Sequence, residues 1–427
     1  MKKKILIKGP ILTSSGYGEQ ARFALRALRK HSDRFDIYII TIPWGQTGWI
    51  HEDNEERAWI DQRIRETIEY SSGGGTFDIS LQVTIPNEWE RMAPVNIGYT
   101  AGIETNKVAP IWLEKSNMMD HVIVVSEHSK NVFEDSAYER YAEGQPKENG
   151  PVDILRLTTP ITAVNYPVRK HDEVDLELDL DYDFNYLAVA QWGPRKNIEN
   201  LVRWFVEENI DEKVGLVVKT SIRKSNVTDR GFILKNIEKL LSQYEDRKCK
   251  VYLLHGDIPS EEMNALYKHP KIKAFASLSH GEGFGLPLFE AAYNGMPIIA
   301  PGWSGQCDFL YAPYLGKGKK KNKNKKQPYF AEVEYDVGPV QPEAHWEGVI
   351  QSDSMWCFPQ QGSYKMRLRQ VRKNYSKWEK KAKQLQEWII DNFTEEKCYE
   401  KFANAVCAEE QFNVESWLDN LGIEENE

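Results

Sequence analysis

Residues 277–299, SLSHGEGFGLPLFEAAYNGMPII, decide the fold of this chain. An apolar run leading into them (Ile272, Ala274, Phe275, Ala276, Leu278) reads as a buried strand. His280, Gly281, Glu282, Gly283, Phe284 and Gly285 read as a glycine-rich turn, Pro287 as a residue able to open a helix, and residues 297–300 as a second strand. Strand, turn, helix and strand make half of a doubly wound α/β domain, in which ligands sit at the carboxyl ends of the strands. Several glycines at that edge let backbone N–H groups approach an anionic or hydroxylated ligand at a helix N-terminus. A ligand site is therefore expected here. Glu282 in the turn and Glu290 in the helix bracket it, with seven residues between them. One carboxylate accepts two O–H donors, so the pair suits a ligand with two sets of hydroxyls, such as a ribose and a hexose. The same two residues also read as a solvated loop Glu and a helix-surface Glu.

With its flanks, the stretch resembles the retaining GT-B glycosyltransferases of family four, whose signature is a glutamate, seven residues and a glutamate around Glu-Gly-Phe-Gly. The resemblance implies an α/β protein of two Rossmann-like doubly wound domains facing a cleft. It implies that Glu290 binds the donor ribose and Glu282 the donor sugar. It further implies that the backbone of Gly283, Phe284, Gly285 and Leu286 holds sugar hydroxyls and phosphate.

A chain of 427 residues is too long for one compact core, which suggests two domains. The net charge of −9 argues against a protein that coats nucleic acid with its whole surface, while leaving room for a local basic patch. Five widely spaced cysteines, with no Cys-x-x-Cys pair, indicate neither a disulfide framework nor a zinc site. A reduced, cytoplasmic protein is expected. The opening MKKKILIKGPIL reads as a first strand rather than a signal peptide, because Lys8, Gly9 and Pro10 interrupt its apolar run. No apolar run reaches the roughly 20 residues needed to cross a bilayer.

In chain order, a strand at residues 4–7 leads through a glycine turn, Thr13 to Gly18, into a helix carrying Phe23, Ala24, Ala27 and Leu28. In the family this first loop covers the donor phosphates or the acceptor, which nominates Gly16 and Tyr17. Strands at 35–42, 77–83 and 95–99 alternate with a helix over 55–70, a pattern that implies a parallel sheet. The family often places a histidine just after the strand at 95–99 to contact the donor sugar. None stands here, and Glu104 is the nearest polar candidate for an acceptor or sugar contact, with a rim or capping Glu as the plainer reading. Residues 120–133 read as a strand and a helix capped by Ser126, with His121 and His128 at the surface or boundary. Residues 139–151 read as a surface loop, and 171–183 as a solvated acidic linker rather than a metal-binding Asp-x-Asp.

The second domain opens with a strand at 186–190 and the turn Gln191 to Asn197. Adjacent Arg195 and Lys196 at a strand-to-helix turn suit a diphosphate, one as a fork and the other as a point charge. Family members carry an arginine and a lysine here to neutralise the leaving diphosphate; Lys196 matches, and Arg195 departs from the usual spacing. Lys219, at the edge of the strand 214–218, faces either the phosphates or the rim. The strand–glycine–helix unit over 251–267 matches the family stretch that holds the base, which nominates His255 and Asp257. Residues 316–327, GKGKKKNKNKKQ, form a lysine-rich insertion without an apolar residue. Its Lys319, Lys320, Lys321, Lys323, Lys325 and Lys326 are solubilising or grip a polyanion such as DNA or a charged membrane. A helical region over 364–392 and a final helix over 395–412 close the chain. The expected domains are 1–165, on the acceptor side, 166–392, which binds the nucleotide sugar, and 393–427, whose helix crosses back.

The expected function is a retaining hexosyl- or pentosyltransferase that needs no metal or cofactor, with Glu282, Arg195 and Lys196 as catalytic residues. Its donor is a nucleotide diphosphate sugar. Its acceptor is a glycan, on whose rings Trp44 and Trp49 could stack, or a hydroxymethylated DNA base flipped from the duplex. The wording NIGYTAGIETNKVAPIW also looks like glycosyltransferases encoded by tailed phages, which would place the protein in the cytoplasm of a host cell. The alternative is a non-catalytic protein that binds nucleotide sugars with a degenerate site.

Overall fold

The computed structural model describes residues 2–45, 47–49, 53–141, 151–223, 225–315 and 325–407. Two six-stranded parallel sheets flanked by helices form two Rossmann-like α/β domains. The first sheet takes β1 (Lys3–Gly9), β2 (Phe35–Thr41), β3 (Ile79–Val83), β4 (Val95–Thr100) and β5 (His121–Val124). Outside it, β6 (Ala137–Arg140) and β7 (Asp153–Arg156) pair as an antiparallel hairpin, and β8 (Ile161–Ala163) completes the sheet in the order β2-β1-β3-β4-β5-β8. Helices α1 (Gly16–Lys30), α2 (Glu55–Ser72), α3 (Pro110–Ser116) and α4 (Glu127–Asp135) connect the strands. Central strands are apolar on both faces, as parallel strands covered by helices must be, and Ile5, Ile7, Leu81, Val83 and Ile123 are fully buried.

The second sheet takes β9 (Asn185–Val189), β10 (Gly215–Thr220), β11 (Lys250–His255), β12 (Ile272–Ala276) and β13 (Ile298–Pro301). The strand pair β14 (Tyr311–Ala312) and β15 (Gln327–Pro328) lies beside it, β16 (Ala331–Val333) joins its edge, and β17 (Tyr335–Pro339) and β18 (Met355–Pro359) form an antiparallel hairpin. The strand order is β11-β10-β9-β12-β13-β16. Its helices are α5 (Ile198–Asn209), α6 (Val227–Leu241), α7 (Ser260–Lys268), α8 (Leu286–Tyr293) and the short α9 (Cys307–Leu310). Then follow α10 (Gln361–Lys373), α11 (Tyr375–Asn392) and α12 (Glu395–Val406). The last of these packs on α1 of the first domain, Phe402 meeting Phe23 at 5.2 Å and Tyr99 at 5.0 Å between ring centroids.

Several expectations change. The helical region over 364–392 is two helices, broken at Asn374, so that Tyr375 packs edge-on against Phe184 at 5.7 Å. His121 is not at the surface: β5 is an interior strand, the side chain is buried, and its Nε2 meets the Thr162 hydroxyl at 2.9 Å. Burial brings its pKa down to about 4. Of the loop expected over 139–151, residues 142–150 lie outside the described residues, and its flanks belong to the β6–β7 hairpin. The acidic segment before β9 is more than solvated charge. Leu176 and Leu178 are half-buried and Leu180 is buried against the core, an alternation that pins the chain down. Asp181 takes Lys250 Nζ at 2.6 Å and the Tyr252 hydroxyl at 2.8 Å.

Strand order reverses between β1 and β3 in the first sheet and between β9 and β12 in the second. Crevices for ligands open outside the carboxyl ends of strands at such switch points. In the second sheet the two loops that flank the reversal are the Arg195–Lys196 turn after β9 and the Glu282 turn after β12.

Candidate active site in the interdomain cleft

The turn after β9 is a short 3₁₀ segment, Pro194–Lys196, closed by Asn197 at φ 54°, a left-handed conformation that Asn tolerates. This turn brings both cations to Glu282. Lys196 Nζ lies 2.5 and 2.6 Å from the two carboxylate oxygens of Glu282, and Arg195 Nη1 lies 3.3 Å from Oε2. Arg195 also donates to the Gly281 carbonyl at 2.8 Å. Glu282 is 8% exposed. Burial works against its charge, but Lys196 and Arg195 outweigh that and hold the carboxyl below the usual carboxylate range. Its backbone N–H donates to the Ser304 hydroxyl at 2.8 Å. The expected crevice carboxylate is thus neutralised by the two cations expected to take the diphosphate.

Glu104 reaches this cluster from the opposite domain, with Oε1 at 3.2 Å from Arg195 Nη1. The contact is close because the turn lacks side chains. A Cβ at Gly281 would lie 2.5 Å from the Glu104 carbonyl oxygen, and one at Gly283 would lie 2.5 Å from that of Ala101. Two of the glycines expected to admit a ligand therefore admit the first domain. Gly285 serves the helix instead. At φ 94° it is the N-cap of α8 and, lacking a side chain, caps none of the first amides of that helix. Those amides, Leu286 among them, remain at the carboxyl edge of β12 where anions are favoured. Phe284, nominated for its backbone, has its ring buried against Tyr166 at 5.2 Å and Phe309 at 5.0 Å.

Glu290 stands apart from this cluster. Its Oε2 accepts from the Tyr267 hydroxyl at 2.8 Å, in a small pocket shared with Glu19, Arg26, Arg169, Tyr293 and Tyr399. Burial is the main reason its carboxyl rises to about 7. Across the pocket Glu19 takes Arg169 Nη1 at 2.8 Å and Arg26 Nη1 at 2.9 Å. Burial opposes the Glu19 charge too, but Arg169, Arg22 and Arg26 bring it down to about 2.

The remaining nominees lie elsewhere. Gly16 is exposed at the start of α1, which Ser15 caps by accepting the Gly18 amide. Tyr17 is directed inward: its hydroxyl meets Thr100 Oγ1 at 2.7 Å, and its ring lies 4.5 Å from that of Trp44. Trp49 is exposed, and a Cβ on neighbouring Gly48 would lie 3.6 Å from Asp257 Oδ2. The loop expected to stack on sugars therefore reaches across the cleft to the nominated base loop. In that loop Lys219 Nζ donates to the Gly256 carbonyl at 2.5 Å, Asp257 Oδ1 takes the Ser225 hydroxyl at 3.2 Å, and His255 Nε2 meets Asp229 at 3.0 Å. Lys219 and His255 are already engaged by the protein. Lys319, Lys320, Lys321 and Lys323 lie outside the described residues; Lys325 and Lys326 are exposed. Among the described residues no group of three or more His, Cys, Asp or Glu is placed to hold a metal ion. No helix among them is long and apolar enough to cross a membrane.

One supporting group went unread in the sequence. His280 is 3% exposed and stacks on Trp356 at 5.0 Å and 13° between planes. Its Nδ1 lies 2.6 Å from the Cys357 carbonyl, which fixes that nitrogen as the donor. The β17–β18 hairpin thus braces the Glu282 turn from behind. Trp356 and Phe358, two apart and so on one face of a strand, were the only local signal.

Residues 180–311 match the family described as glycosyl transferases group 1, and this segment holds both switch-point loops. The match is confined to the second domain. The fold agrees, for the chain is similar to solved GT-B structures along nearly its whole length. It resembles HepE of Anabaena in complex with UDP and glucose (11% identity, TM-score 0.55, covering 95% of this chain and 100% of that one). It also resembles sucrose-phosphate synthase of Thermosynechococcus elongatus (14%, 0.58, 94% and 98%) and a glycosyltransferase of Rickettsia africae (12%, 0.56, 95% and 98%). No curated protein matches it in sequence.

Proposed function

We propose that the protein transfers a hexosyl or pentosyl group from a nucleotide diphosphate sugar to an acceptor hydroxyl, with retention of configuration and without a metal ion. The observation that carries this reading is the Arg195–Lys196–Glu282 cluster at the switch point of the second sheet. As the sugar–phosphate bond breaks, negative charge grows on the diphosphate while the sugar becomes oxocarbenium-like. Lys196 and Arg195, with the first amides of α8, are placed to stabilise that diphosphate, a role worth several kcal/mol in a water-poor site. Donor binding exchanges partners: the diphosphate takes over the cations, and Glu282 is freed to accept sugar hydroxyls. The positive charge is thus organised before the donor arrives, with Glu282 as its placeholder. The acceptor enters on the face from which the diphosphate leaves, and no protein nucleophile is needed.

Glu290 is the proposed acceptor for the ribose hydroxyls, with Tyr267 holding one of its oxygens. Glu104 positions Arg195 from the other domain. The loop carrying Trp44 and Trp49 favours a glycan acceptor, since Gly48 brings it beside Asp257 across the cleft and Trp49 is an exposed aromatic ring of the kind on which sugars stack.

The test is a panel of nucleotide sugars, read by thermal stabilisation and by release of nucleoside diphosphate. One donor should raise the melting temperature by mass action, and the shift should vanish in Glu290→Ala. Release with an acceptor, lost in Lys196→Ala, supports transfer. Stabilisation with no release from any acceptor class would instead favour a protein that binds nucleotide sugars without turnover.

A further inference from the structure

The donor site leaves the basic side of the second domain unused. The β14–β15 pair and α11 border a concavity of about 620 Å³. Its lining includes Tyr314, Gln327, Lys380, Lys381 and Gln384, and among the described residues it contains no carboxylate. Lys326, next to the lining residue Gln327 in the chain, is exposed, and Lys377 stands one turn before Lys381 on α11. None of Lys326, Lys377, Lys380 and Lys381 has an ion-pair partner among the described residues. Instead Lys377 and Lys381 lie over the Trp378 ring at 5.9 and 5.2 Å, and Lys381 Nζ donates to the Pro328 carbonyl at 3.3 Å. On a chain with a net charge of −9 this is a local reversal of sign. The crowding is felt: burial first, then Lys377 and Arg367, lower the pKa of Lys381.

We propose that this concavity is a docking site for the phosphodiester backbone of a single nucleic-acid strand. Unpaired cations suit phosphates, and amide and phenol groups between them suit sugars and bases. An anionic bilayer is a poorer partner, because a bilayer-binding face presents exposed apolar anchors, and among the described residues no exposed large apolar side chain lines this concavity. The site lies on β15, before the amino end of β16, whereas the donor site lies at the carboxyl ends of the strands. It is therefore an auxiliary grip that raises the local concentration of its partner, and it does not depend on the reaction proposed above.

The test is fluorescence anisotropy of the full chain with a labelled single-stranded DNA oligonucleotide, titrated over a range of salt. Lys326→Glu/Lys380→Glu/Lys381→Glu is compared with Lys235→Glu/Lys239→Glu, a control reversal on α6. Single Lys380→Glu, at an exposed position, covers the case in which the triple variant folds poorly. The wild type should bind. The triple variant should bind at least ~10-fold more weakly, with the salt slope reduced by ~0.7 for each lost phosphate contact. The control should bind as the wild type does. Undiminished binding by the variants, or an equal loss in the control, would overturn the proposal. So would binding to phosphatidylserine vesicles with none to the oligonucleotide, which would assign the surface to a membrane.

Discussion

The two domains share one architecture and differ in what their switch points carry. In the second, a reversal between β9 and β12 brings two cations within 3.3 Å of one carboxylate. In the first, the reversal between β1 and β3 carries a partly exposed ion pair, Lys8 with Glu90 at 2.7 Å, while beside it the Tyr17 hydroxyl on α1 meets Thr100 at the end of β4 and Glu104 reaches Arg195 of the other domain. A parallel sheet makes a crevice wherever its order reverses, but charge decides which crevice handles a diphosphate. In the proposed reaction the second domain is therefore the seat of donor chemistry, and the first is a positioning and acceptor surface.

The largest expected effect tests that asymmetry. Lys196→Ala should lower kcat by ~10²–10³, the loss typical of one preorganised charge-stabilising group, while Tyr17→Phe should lower it far less. Equal losses in the two variants would break the comparison. Next comes Glu290. Its carboxyl rises to about 7, so the ionised form that accepts two ribose hydroxyls fills in as pH rises through neutrality. Donor affinity should increase from about pH 6 to about pH 8 in the wild type, and Glu290→Gln should bind weakly and without that slope. For stability the sign is opposite. The folded state holds this proton more tightly than the unfolded chain, so the contribution is full below the ordinary value of 4.5 and is lost as pH rises through about 7.

Glu19 sharpens the comparison from the first domain. With its carboxyl brought down to about 2, its stabilising contribution is present above 4.5 and is lost as pH falls towards 2. Glu19→Gln should therefore reduce stability at neutral pH by ~1–3 kcal/mol and flatten the acid limb of a denaturation series. The smallest effect belongs to Glu104. As one partly exposed carboxylate beside Arg195, it should contribute ~0.5–1 kcal/mol, so Glu104→Gln should raise the donor KM a few-fold and leave kcat nearly unchanged. A loss in kcat of the size seen with Lys196→Ala would make Glu104 a group that touches the reacting atoms.

Much of the fold was legible because its signals are local. The strand, glycine turn and proline-opened helix around Glu282 can be read from one short window, and Ser126 caps α4 as its position before a charged helix suggests. The nature of the glycines was not legible. Gly281 and Gly283 are set by Glu104 and Ala101, residues far off in sequence that only the closed pair of domains brings near. The brace of His280 on Trp356 likewise spans 76 positions, with no period to betray it. The break at Asn374 was hidden because no Gly or Pro marks it, and the packing of Tyr375 on Phe184 decides the turn. The ion pairing of Glu282 could not be foreseen as a resting state: a sequence marks residues that suit a ligand, but not which of them neutralise one another when it is absent.

The most direct measurement is calorimetric titration of a nucleoside diphosphate and its monophosphate into the wild type and Lys196→Ala. The wild type should prefer the diphosphate, by ~10-fold or more if one charge-assisted contact is gained, and Lys196→Ala should lose that preference while keeping its affinity for the monophosphate. An undiminished preference in the variant, or a wild type indifferent to the second phosphate, would contradict the claim that the switch-point cations receive the leaving diphosphate.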